Sequence, residues 1–236
     1  MQVVVLAGGR GTRMRPLTDT IPKALLPVLG RPFAERQVEL LAANGVVDIV
    51  FSIGYLGPMI RDTLGDGSRF GVRIRYVDEG PDLRGTGGAV RLFTGSGLAD
   101  DDFAVLYGDS YLPIDYAAVW DAYAACEQPA LMTVIRNRDR WDASNAELGA
   151  DGLIRYAKGV SDAAFTCIDY GLSVVSARVV REHVPPDTVS DLAGLFTHLG
   201  ERGMLAGFEV HERFYEIGSE VGIADLEAML ARRGEA

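Results

Sequence analysis

A glycine-rich loop near the start of the chain carries the residue types needed to bind a polyanion. Gly8, Gly9 and Gly11 follow a short apolar run, and Arg13 and Lys23 lie close behind them. Glycine lets the backbone approach a ligand closely, so that consecutive backbone N–H groups point at one anion. Arginine and lysine add the positive charge that binds phosphate oxygens. The loop is therefore predicted to hold a triphosphate.

The excess of positive charge is confined to this part of the chain. Residues 1–31 carry five basic side chains and one acidic side chain, whereas the whole chain of 236 residues has a formal net charge of −10. A protein with a pI near 4.8 repels nucleic acids and anionic membranes. We therefore expect the loop to bind one small anion in a pocket, with neither a nucleic acid nor a membrane as partner.

The composition favours a soluble, cytoplasmic protein. Hydrophobic residues make up 48% of the chain, enough for a full core, and no apolar stretch approaches the roughly 20 residues of a membrane span. The apolar run at the N-terminus is too short for a secretory signal. Cys126 and Cys167 are predicted to be reduced thiols, and the three histidines share no zinc-ligand spacing with them.

Apolar runs of strand length alternate with helical patterns, which predicts a Rossmann-like α/β fold. Its sheet is expected to be mixed, mostly parallel and flanked by helices. The predicted strands cover residues 3–6, 48–53, 72–77, 103–107, 130–135 and 166–175. The predicted helices cover residues 32–44, 58–64, 116–125 and 222–232, with one more starting near 83–89 and another running from an N-cap at Ser190 to residue 201. A hairpin is expected to turn at Asp151 and Gly152.

Three loops are expected to meet at one edge of this sheet. The glycine loop follows the first strand, a second glycine-rich segment at 83–89 follows the strand at 72–77, and Asp109 follows the strand at 103–107. Ligands of open α/β sheets bind at the carboxyl ends of the strands. The three loops are therefore predicted to form one site.

Two common glycine motifs do not fit the loop. A dinucleotide-binding fingerprint needs a third glycine where this chain has Met14. A P-loop needs a lysine directly after its last glycine, and here Thr12 follows Gly11. Dinucleotide-dependent oxidoreductases and P-loop kinases are therefore disfavoured.

A longer motif surrounds the glycines: Leu6-Ala7-Gly8-Gly9-x-Gly11-Thr12-Arg13-x-x-Pro16-Leu17-Thr18, followed by Pro22-Lys23-Ala24-Leu25. This motif resembles the signature of the sugar-1-phosphate nucleotidyltransferase family. The chain is most similar to small single-domain members that activate mannose-type, heptose or N-acetylmuramate 1-phosphates. Further segments extend the resemblance along the chain, namely Gly65-Asp66-Gly67-Ser68, Thr86-Gly87-Gly88 and Tyr215-Glu216-Ile217-Gly218-Ser219.

The resemblance implies Mg²⁺-dependent transfer of a nucleotidyl group from a nucleoside triphosphate to a sugar 1-phosphate. The products are an NDP-sugar for polysaccharide or glycoconjugate assembly and pyrophosphate. The sugar phosphate attacks the α-phosphorus itself, so catalysis consists of positioning and charge neutralisation. The resemblance also implies a single domain over 1–236, with a nucleotide-binding half at 1–112 and a sugar-binding half at 113–236. Assembly into a homo-oligomer stays open.

Individual residue roles also follow from the resemblance. Arg13, Lys23 and Asp109 are the expected catalytic residues, and Arg15 is a further candidate for contact with the leaving pyrophosphate. Asp109 is expected to bind Mg²⁺ together with Glu216, which stands where the family usually has an aspartate. The expected nucleotide-binding residues are Leu6, Ala7, Gly8, Gly9, Gly11, Thr12, Arg13, Thr86 and Gly87. The expected sugar-phosphate-binding residues are Asn145, Lys158, Asp169, Tyr170 and Gly171.

Two alternative functions remain open. One is a cytidylyltransferase for a non-sugar phosphate or phosphonate, and the other is a catalytically inert regulatory subunit that binds a nucleotide sugar. An inert protein is expected to lose the reactive charges, whereas Arg13, Lys23 and Asp109 are all present. A quaternary amine needs an aromatic cage. The sequence instead offers side chains suited to sugar hydroxyl groups: Trp141, Asn145, Asp169 and Tyr170.

Overall fold

The computed structural model of the protein describes residues 1–137, 143–160 and 162–234. Strands and helices alternate along the first half of the chain. The described strands are β1 (Gln2–Leu6), β2 (Pro27–Val28), β3 (Arg31–Pro32), β4 (Asp48–Ile53), β5 (Arg73–Asp78), β6 (Asp102–Tyr107), β7 (Ser110–Tyr111), β8 (Ala130–Arg136), β9 (Ala146–Leu148), β10 (Ile154–Tyr156), β11 (Cys167–Ser176), β12 (Leu205–Val210) and β13 (Tyr215–Glu216). The described helices are α1 (Phe33–Ala43), α2 (Gly57–Leu64), α3 (Gly85–Gly95), α4 (Tyr116–Ala125), α5 (Ala177–His183), α6 (Leu192–Gly200) and α7 (Glu220–Arg233).

Nine of the described strands form one mixed sheet. Its main path has the order β10-β9-β11-β6-β1-β4-β5, and β8 pairs with both β11 and β12. Strands β6, β1, β4 and β5 are parallel, whereas β11 runs antiparallel to β6. The prediction of an α/β fold with a mixed, mostly parallel sheet is confirmed.

Helices cover both faces of this sheet, and the side chains of β1 alternate between the two. Val3 and Val5 pack into a cluster with residues of α1, α2 and α4, while Val4 packs into a second cluster with residues of α3, α5 and α6. All three valines are fully buried. A strand that is covered on both faces has a continuous run of apolar residues in its sequence. The apolar run at residues 3–6 therefore predicted a buried strand. The loop that follows β1 thus starts from a rigid central strand.

Several predicted elements have the observed bounds, but helix α6 begins at a different residue. The strand at 48–53, the helix at 116–125 and the turn at Asp151 and Gly152 are confirmed. The prediction that Ser190 caps α6 is wrong, because Asp191 is the N-cap and its carboxylate accepts a hydrogen bond from the Ala193 N–H. The Ser190 backbone instead contacts the start of α3, where its carbonyl oxygen accepts a hydrogen bond from the Gly87 N–H.

The C-terminal segment returns to the carboxyl edge of the sheet. Strand β13 pairs with β7, and the Ile217 N–H donates to the carbonyl oxygen of Asp109 at 3.0 Å. Helix α7 packs its apolar side into a small core with Met14 and Leu26. The Leu29 N–H also donates to the Glu227 carboxylate. The last elements therefore lie over the loops that follow β1 and β6.

Two observations bear on the expectations from composition. Cys126 and Cys167 are both free thiols, and Cys167 is buried. Across the described ranges, no helix combines the length and the apolar content that a bilayer crossing demands.

Candidate functional site

A cavity of about 350 Å³, called the first cavity below, lies at the carboxyl ends of β1, β5 and β6. Most of the residues expected to bind nucleotide or to act in catalysis line it: Leu6, Ala7, Gly8, Gly9, Gly11, Thr12, Arg13, Lys23, Thr86 and Asp109. Its wall also contains residues to which the sequence analysis gave no individual role, namely Ala24, Glu79, Leu83, Gly85, Ala89, Tyr107 and Gly108. The three predicted loops therefore meet as expected.

The glycine loop is held in place by its own hydrogen bonds. The Gly8 carbonyl oxygen accepts from the Tyr55 N–H, and the Gly11 carbonyl oxygen accepts from the Thr18 hydroxyl at 2.9 Å. Gly11 has φ +60°, the left-handed region that favours glycine. A Cβ on Gly8 would overlap the Glu79 carboxylate. The left-handed backbone therefore favours glycine at position 11, and glycine at position 8 lets the Glu79 carboxylate lie directly against the loop.

Three charged side chains meet at one end of the first cavity. The Lys23 ammonium donates to Asp109 Oδ2 at 2.5 Å, and the two side chains are only 14% and 28% exposed. A Cβ built on Gly218 would lie 3.5 Å from Lys23 Nζ and 3.9 Å from Arg13 Nη2. Both cations therefore lie beside Gly218, and Lys23 is in direct contact with the carboxylate of Asp109.

The other loop arginines, Arg10 and Arg15, do not line the first cavity. Arg15 forms an ion pair with Asp19 at 3.2 Å, is about half exposed and does not line the cavity. The Arg10 guanidinium lies 5.2 Å from the centre of the Tyr55 ring, and the Tyr55 hydroxyl donates to the Asp19 carbonyl oxygen. Within the described residues Arg10 and Arg13 have no ion pair, so both guanidinium charges are available to an anion.

A second cavity of about 290 Å³ adjoins the first. It is lined by Arg13, Ile168, Asp169, Arg213, Phe214, Tyr215, Glu216, Gly218, Ser219, Val221, Gly222 and Asp225. Arg13 lines both cavities. Arg213 pairs with Asp225 at 2.6 Å and lies over the Tyr215 ring. Polar and charged groups therefore dominate this cavity, and a cation already covers one of its aromatic faces.

Asp169 is the most unusual titratable group of the second cavity. Burial raises the pKa of its carboxyl to about 6, although the Gly171 N–H and the positive charge of Lys158 oppose that rise. The Asp169 N–H donates to Asn145 Oδ1 at 2.9 Å, and Asp169 Oδ1 accepts from the Gly171 N–H at 3.0 Å. Carboxyl groups with strongly raised pKa values cluster at functional sites.

The other residues expected at the sugar phosphate have different surroundings. The Tyr170 ring is buried and packs edge-on against Phe214, and in the described part of the chain its hydroxyl has no hydrogen-bond partner. Gly171 lies in an irregular stretch of β11 with φ +103°. Lys158 is 63% exposed and donates to Asp191 Oδ2 at 2.8 Å. The structure thus brings only Asp169 from this group into the second cavity.

The remaining expected residues are placed as follows. Gly87 does not line the first cavity and instead packs against Ser190. Glu216 lies in register with Ser110, one residue beyond Asp109, and is exposed in the second cavity. Trp141 lies outside the described residues.

Asp191 and Glu79 are polar residues near the site that the sequence analysis missed. Burial opposes ionisation of Asp191, but hydrogen bonds from Lys158, the Ala193 N–H and the Thr86 hydroxyl lower its pKa. Glu79 directly follows β5, so the rule that ligands bind at the carboxyl ends of parallel strands would have identified it. Asp191 gave no comparable signal, because it follows a segment without a strand.

Comparison with known proteins identifies the family of the chain. The model of the family described as nucleotidyl transferase matches residues 2–144. The chain belongs to the nucleotidyl transferase family. A protein of Bacillus anthracis solved with bound sucrose has the same fold, with a TM-score of 0.82 at 21% identity over 97% of this chain and 94% of that one.

The relatives of this nucleotidyl transferase act on sugar 1-phosphates. UTP–glucose-1-phosphate uridylyltransferase of Synechocystis is 30% identical over 86% of this chain and 56% of its own length. N-acetylmuramate α-1-phosphate uridylyltransferase of Neisseria meningitidis is 41% identical over 51% of this chain and 52% of its own. Mannose-1-phosphate guanylyltransferase of Mycobacterium tuberculosis is 34% identical over 59% of this chain and 38% of its own length. The matches thus span about half the length of these relatives or less. The predicted resemblance to sugar-1-phosphate nucleotidyltransferases is confirmed by the family match and by these relatives.

Proposed function

We propose that the protein transfers a nucleotidyl group from a nucleoside triphosphate to a sugar 1-phosphate and releases pyrophosphate. The observation that carries this proposal is the position of Arg13, whose side chain lines both cavities beside Lys23. A triphosphate in the first cavity and a sugar phosphate in the second would meet at these cations. The names of the relatives support the same acceptor class.

The side chains at the junction suit an in-line attack of one phosphate on another. Two anionic reactants repel each other, so a catalyst must neutralise charge where they meet. The backbone of Gly8–Thr12 would hold the triphosphate, and the Arg13 guanidinium would bind its oxygens. The Lys23 ammonium, largely buried beside Gly218, would contact the α-phosphate and the incoming phosphate. The attacking oxygen is already anionic, so no protein base is needed.

Asp109 and Glu216 are the residues proposed to hold Mg²⁺. Within the described ranges no three His, Cys, Asp or Glu side chains form a ready-made metal site. Mg²⁺ bound with substrate phosphates commonly uses only one or two protein carboxylates, so the half-buried Asp109 fits this ion. When bound, the ion would neutralise negative charge on the departing pyrophosphate. Glu216 lies in the neighbouring cavity and is the second candidate ligand.

The second cavity favours a polyhydroxylated acceptor over a quaternary amine. Asp169, Glu216 and Asp225 present carboxylates that accept hydrogen bonds from hydroxyl groups. An aromatic cage would need free ring faces, whereas Arg213 covers Tyr215, and Phe214 packs against a buried ring. These contacts support a sugar phosphate over a choline-like acceptor.

A matrix of substrates tests the proposed function. The full chain is incubated with Mg²⁺, each of the five common nucleoside triphosphates and each of several sugar 1-phosphates, and pyrophosphate release is measured. We expect release that depends on both substrates in at least one pairing. Release only with a non-sugar phosphate or phosphonate would support the cytidylyltransferase alternative. Tight nucleotide-sugar binding without release in any pairing would support the inert regulatory subunit.

Arg10 is expected to contribute more to triphosphate binding than Arg15. Neither side chain lines the first cavity, but Arg10 lies between two glycines that do and carries no ion pair within the described residues, whereas Arg15 is paired with Asp19. We expect Arg10→Ala to raise KM for the triphosphate about 10-fold, which corresponds to one charge-assisted contact. Arg15→Ala, the matched control, is expected to change KM less than 2-fold. Steady-state kinetics at low salt checks both values, and equal effects would contradict the assignment.

Asp169→Asn is expected to stabilise the protein at neutral pH while weakening the sugar phosphate site. The folded-state pKa of about 6 lies above the ordinary 3.8, so the stability linked to the bound proton is present in acid and is lost as pH rises through 6. Asparagine avoids this loss and keeps the oxygen that accepts from Gly171. We expect the free energy of unfolding to rise by about 1–2 kcal/mol near pH 7.5, below the full linkage value because Asp169 lines the second cavity and is not fully buried.

Urea unfolding at several pH values measures this difference. The gain in unfolding free energy of Asp169→Asn over the parent should be near zero at about pH 4 and should grow between about pH 4 and 6.5. In separate kinetic measurements, the variant should have a higher KM for the sugar 1-phosphate than the parent. Asp62→Asn on the exposed side of α2 is the control. A difference in unfolding free energy that does not change with pH would contradict the role given to the Asp169 proton.

A further inference from the structure

Glu79 is a half-buried carboxyl group in the wall of the first cavity that the transfer reaction does not use. One of its oxygens accepts from the Ser52 hydroxyl at 3.3 Å, and the other accepts from the Arg84 N–H at 3.2 Å. The first of these oxygens lies against Gly8, where a Cβ would overlap it. Its position is thus fixed by β4, by the glycine loop and by the segment before α3.

Sheet topology places Glu79 at the opposite end of the cavity from the charged cluster. Asp109 follows β6 and Glu79 follows β5, and the order β6-β1-β4-β5 separates these strands by three steps. Strands in a sheet are about 4.8 Å apart, so the two ends of the cavity are roughly 14 Å apart. A carboxylate repels phosphates, which Arg13 and Lys23 attract. The uncharged base of a bound nucleotide therefore belongs at the Glu79 end.

The lone pairs of Glu79 fit one arrangement of donors best. An ionised carboxylate only accepts hydrogen bonds and has about four lone-pair sites. Ser52 and Arg84 use one site on each oxygen, which leaves one site on each oxygen for a ligand. Two adjacent donors on one edge of the ligand would satisfy both, as in other bidentate contacts of carboxylates.

Guanine is the common base with two such donors. Its N1–H and its 2-amino group lie side by side, whereas uracil and thymine have one N–H between two carbonyl oxygens. Adenine and cytosine each place one amino group beside a ring nitrogen that would face the carboxylate with a lone pair. We propose that Glu79 selects guanine, so that GTP is the preferred nucleotide of this protein. This inference rests on the proposed function, which places the triphosphate of the nucleotide beside Arg13 and Lys23 and so leaves the base for the Glu79 end of the cavity.

Glu79→Gln is the sharpest test, because an amide presents one donor and one acceptor. That pair matches the N3–H and O4 of uracil or thymine and mismatches guanine. We expect the parent protein to prefer GTP over UTP, and Glu79→Gln to lower the ratio of their kcat/KM values about 10- to 100-fold. Glu79→Ala should lower use of GTP without improving use of UTP. Asp82→Asn removes an acidic charge from the same loop outside the cavity wall and is the matched control, expected to leave the ratio unchanged.

Equilibrium titration of GTP and UTP against the same proteins, without sugar phosphate, separates this inference from the proposed function. Preferred binding of GTP that Glu79→Gln reverses would support Glu79 as the selector even if no pairing released pyrophosphate. Turnover with UTP in preference to GTP by the parent would overturn the inference and leave the proposed function intact. An unchanged ratio in both Glu79→Gln and Glu79→Ala would also overturn it.

Discussion

Replacing Lys23 with methionine is expected to lower kcat by about 10²- to 10³-fold, the usual loss when one preorganised charge at a reacting centre is removed. The Lys23 ammonium lies at the junction of the two cavities, is 14% exposed and contacts Asp109. A side chain with so little exposure leaves little room for solvent to replace the lost charge. Methionine fills a similar volume, so the effect should appear in the rate of pyrophosphate release more than in stability.

Two further variants show whether this effect is specific. Lys23→Arg keeps the charge but brings a planar guanidinium beside Gly218, where Nζ already lies 3.5 Å from a Cβ built on that glycine. We expect it to recover only part of the rate. Arg178→Met, which removes an exposed cation from α5, should retain full activity. If Lys23→Met turned over at the parental rate, the proposed site of transfer would be wrong.

Asp109→Asn is expected to have an effect of similar size, because Asp109 is proposed to bind Mg²⁺. The Asp109 side chain is fixed by Lys23, and its backbone is fixed by the Ile217 N–H, so asparagine should occupy the same place without the charge. Hard divalent cations prefer anionic oxygen ligands. We expect kcat to fall about 100-fold and the Mg²⁺ concentration for half-maximal rate to rise about 10-fold or more.

The measurement is a Mg²⁺ titration of pyrophosphate release with both substrates saturating. Asp101→Asn is the matched control, since Asp101 precedes the same strand at the opposite edge of the sheet and is exposed. Because Lys23 and Asp109 are in contact, their effects should not be independent. The fold-loss of kcat in the double variant, Lys23→Met with Asp109→Asn, should be smaller than the product of the two single fold-losses. A Mg²⁺ curve identical to that of the parent would remove Asp109 from the metal site.

The first cavity was largely predictable from sequence because its residues are local to strand ends. The motif from Leu6 to Arg13 is one continuous segment, and Asp109 follows a clear apolar strand. Glu79 obeys the same rule, but it lies outside every motif that was recognised, between Asp78 and Gly80. The end of each parallel strand determines where the next loop starts. Short-range sequence patterns therefore carry most of the information about which residues line the first cavity.

The second cavity was harder to predict because its residues are brought together over long distances. Asp169 and Tyr170 are neighbours in sequence, yet one lines the cavity and the other is buried. Adjacent residues of a strand face opposite sides, and the irregularity at Gly171 breaks the alternation that would show which side is which. Arg213 and Asp225 come from the C-terminal segment, and no motif links them to Asp169.

Helix α5 and strand β12 escaped prediction for local reasons. Strand β12 contains Gly207, which weakens the strand signal. In the structure that glycine lets the side chains of Leu148 and Ile154 from the neighbouring hairpin pack directly against β12, where a Cβ would overlap them. Helix α5 has only seven residues and directly follows β11, so its periodicity is too short to recognise.

The pairing of β13 with β7 has a consequence for how the protein matures during synthesis. Asp109 and Lys23 emerge from the ribosome early, but the strand that holds the Asp109 backbone and the glycine beside both cations come more than 100 residues later. The hydrogen bond from the Leu29 N–H to the Glu227 carboxylate joins residues that are 198 positions apart in the sequence. At roughly 5–20 residues per second, the nascent chain therefore spends several seconds with its glycine loop made but without the C-terminal segment that lies against Lys23 and Asp109.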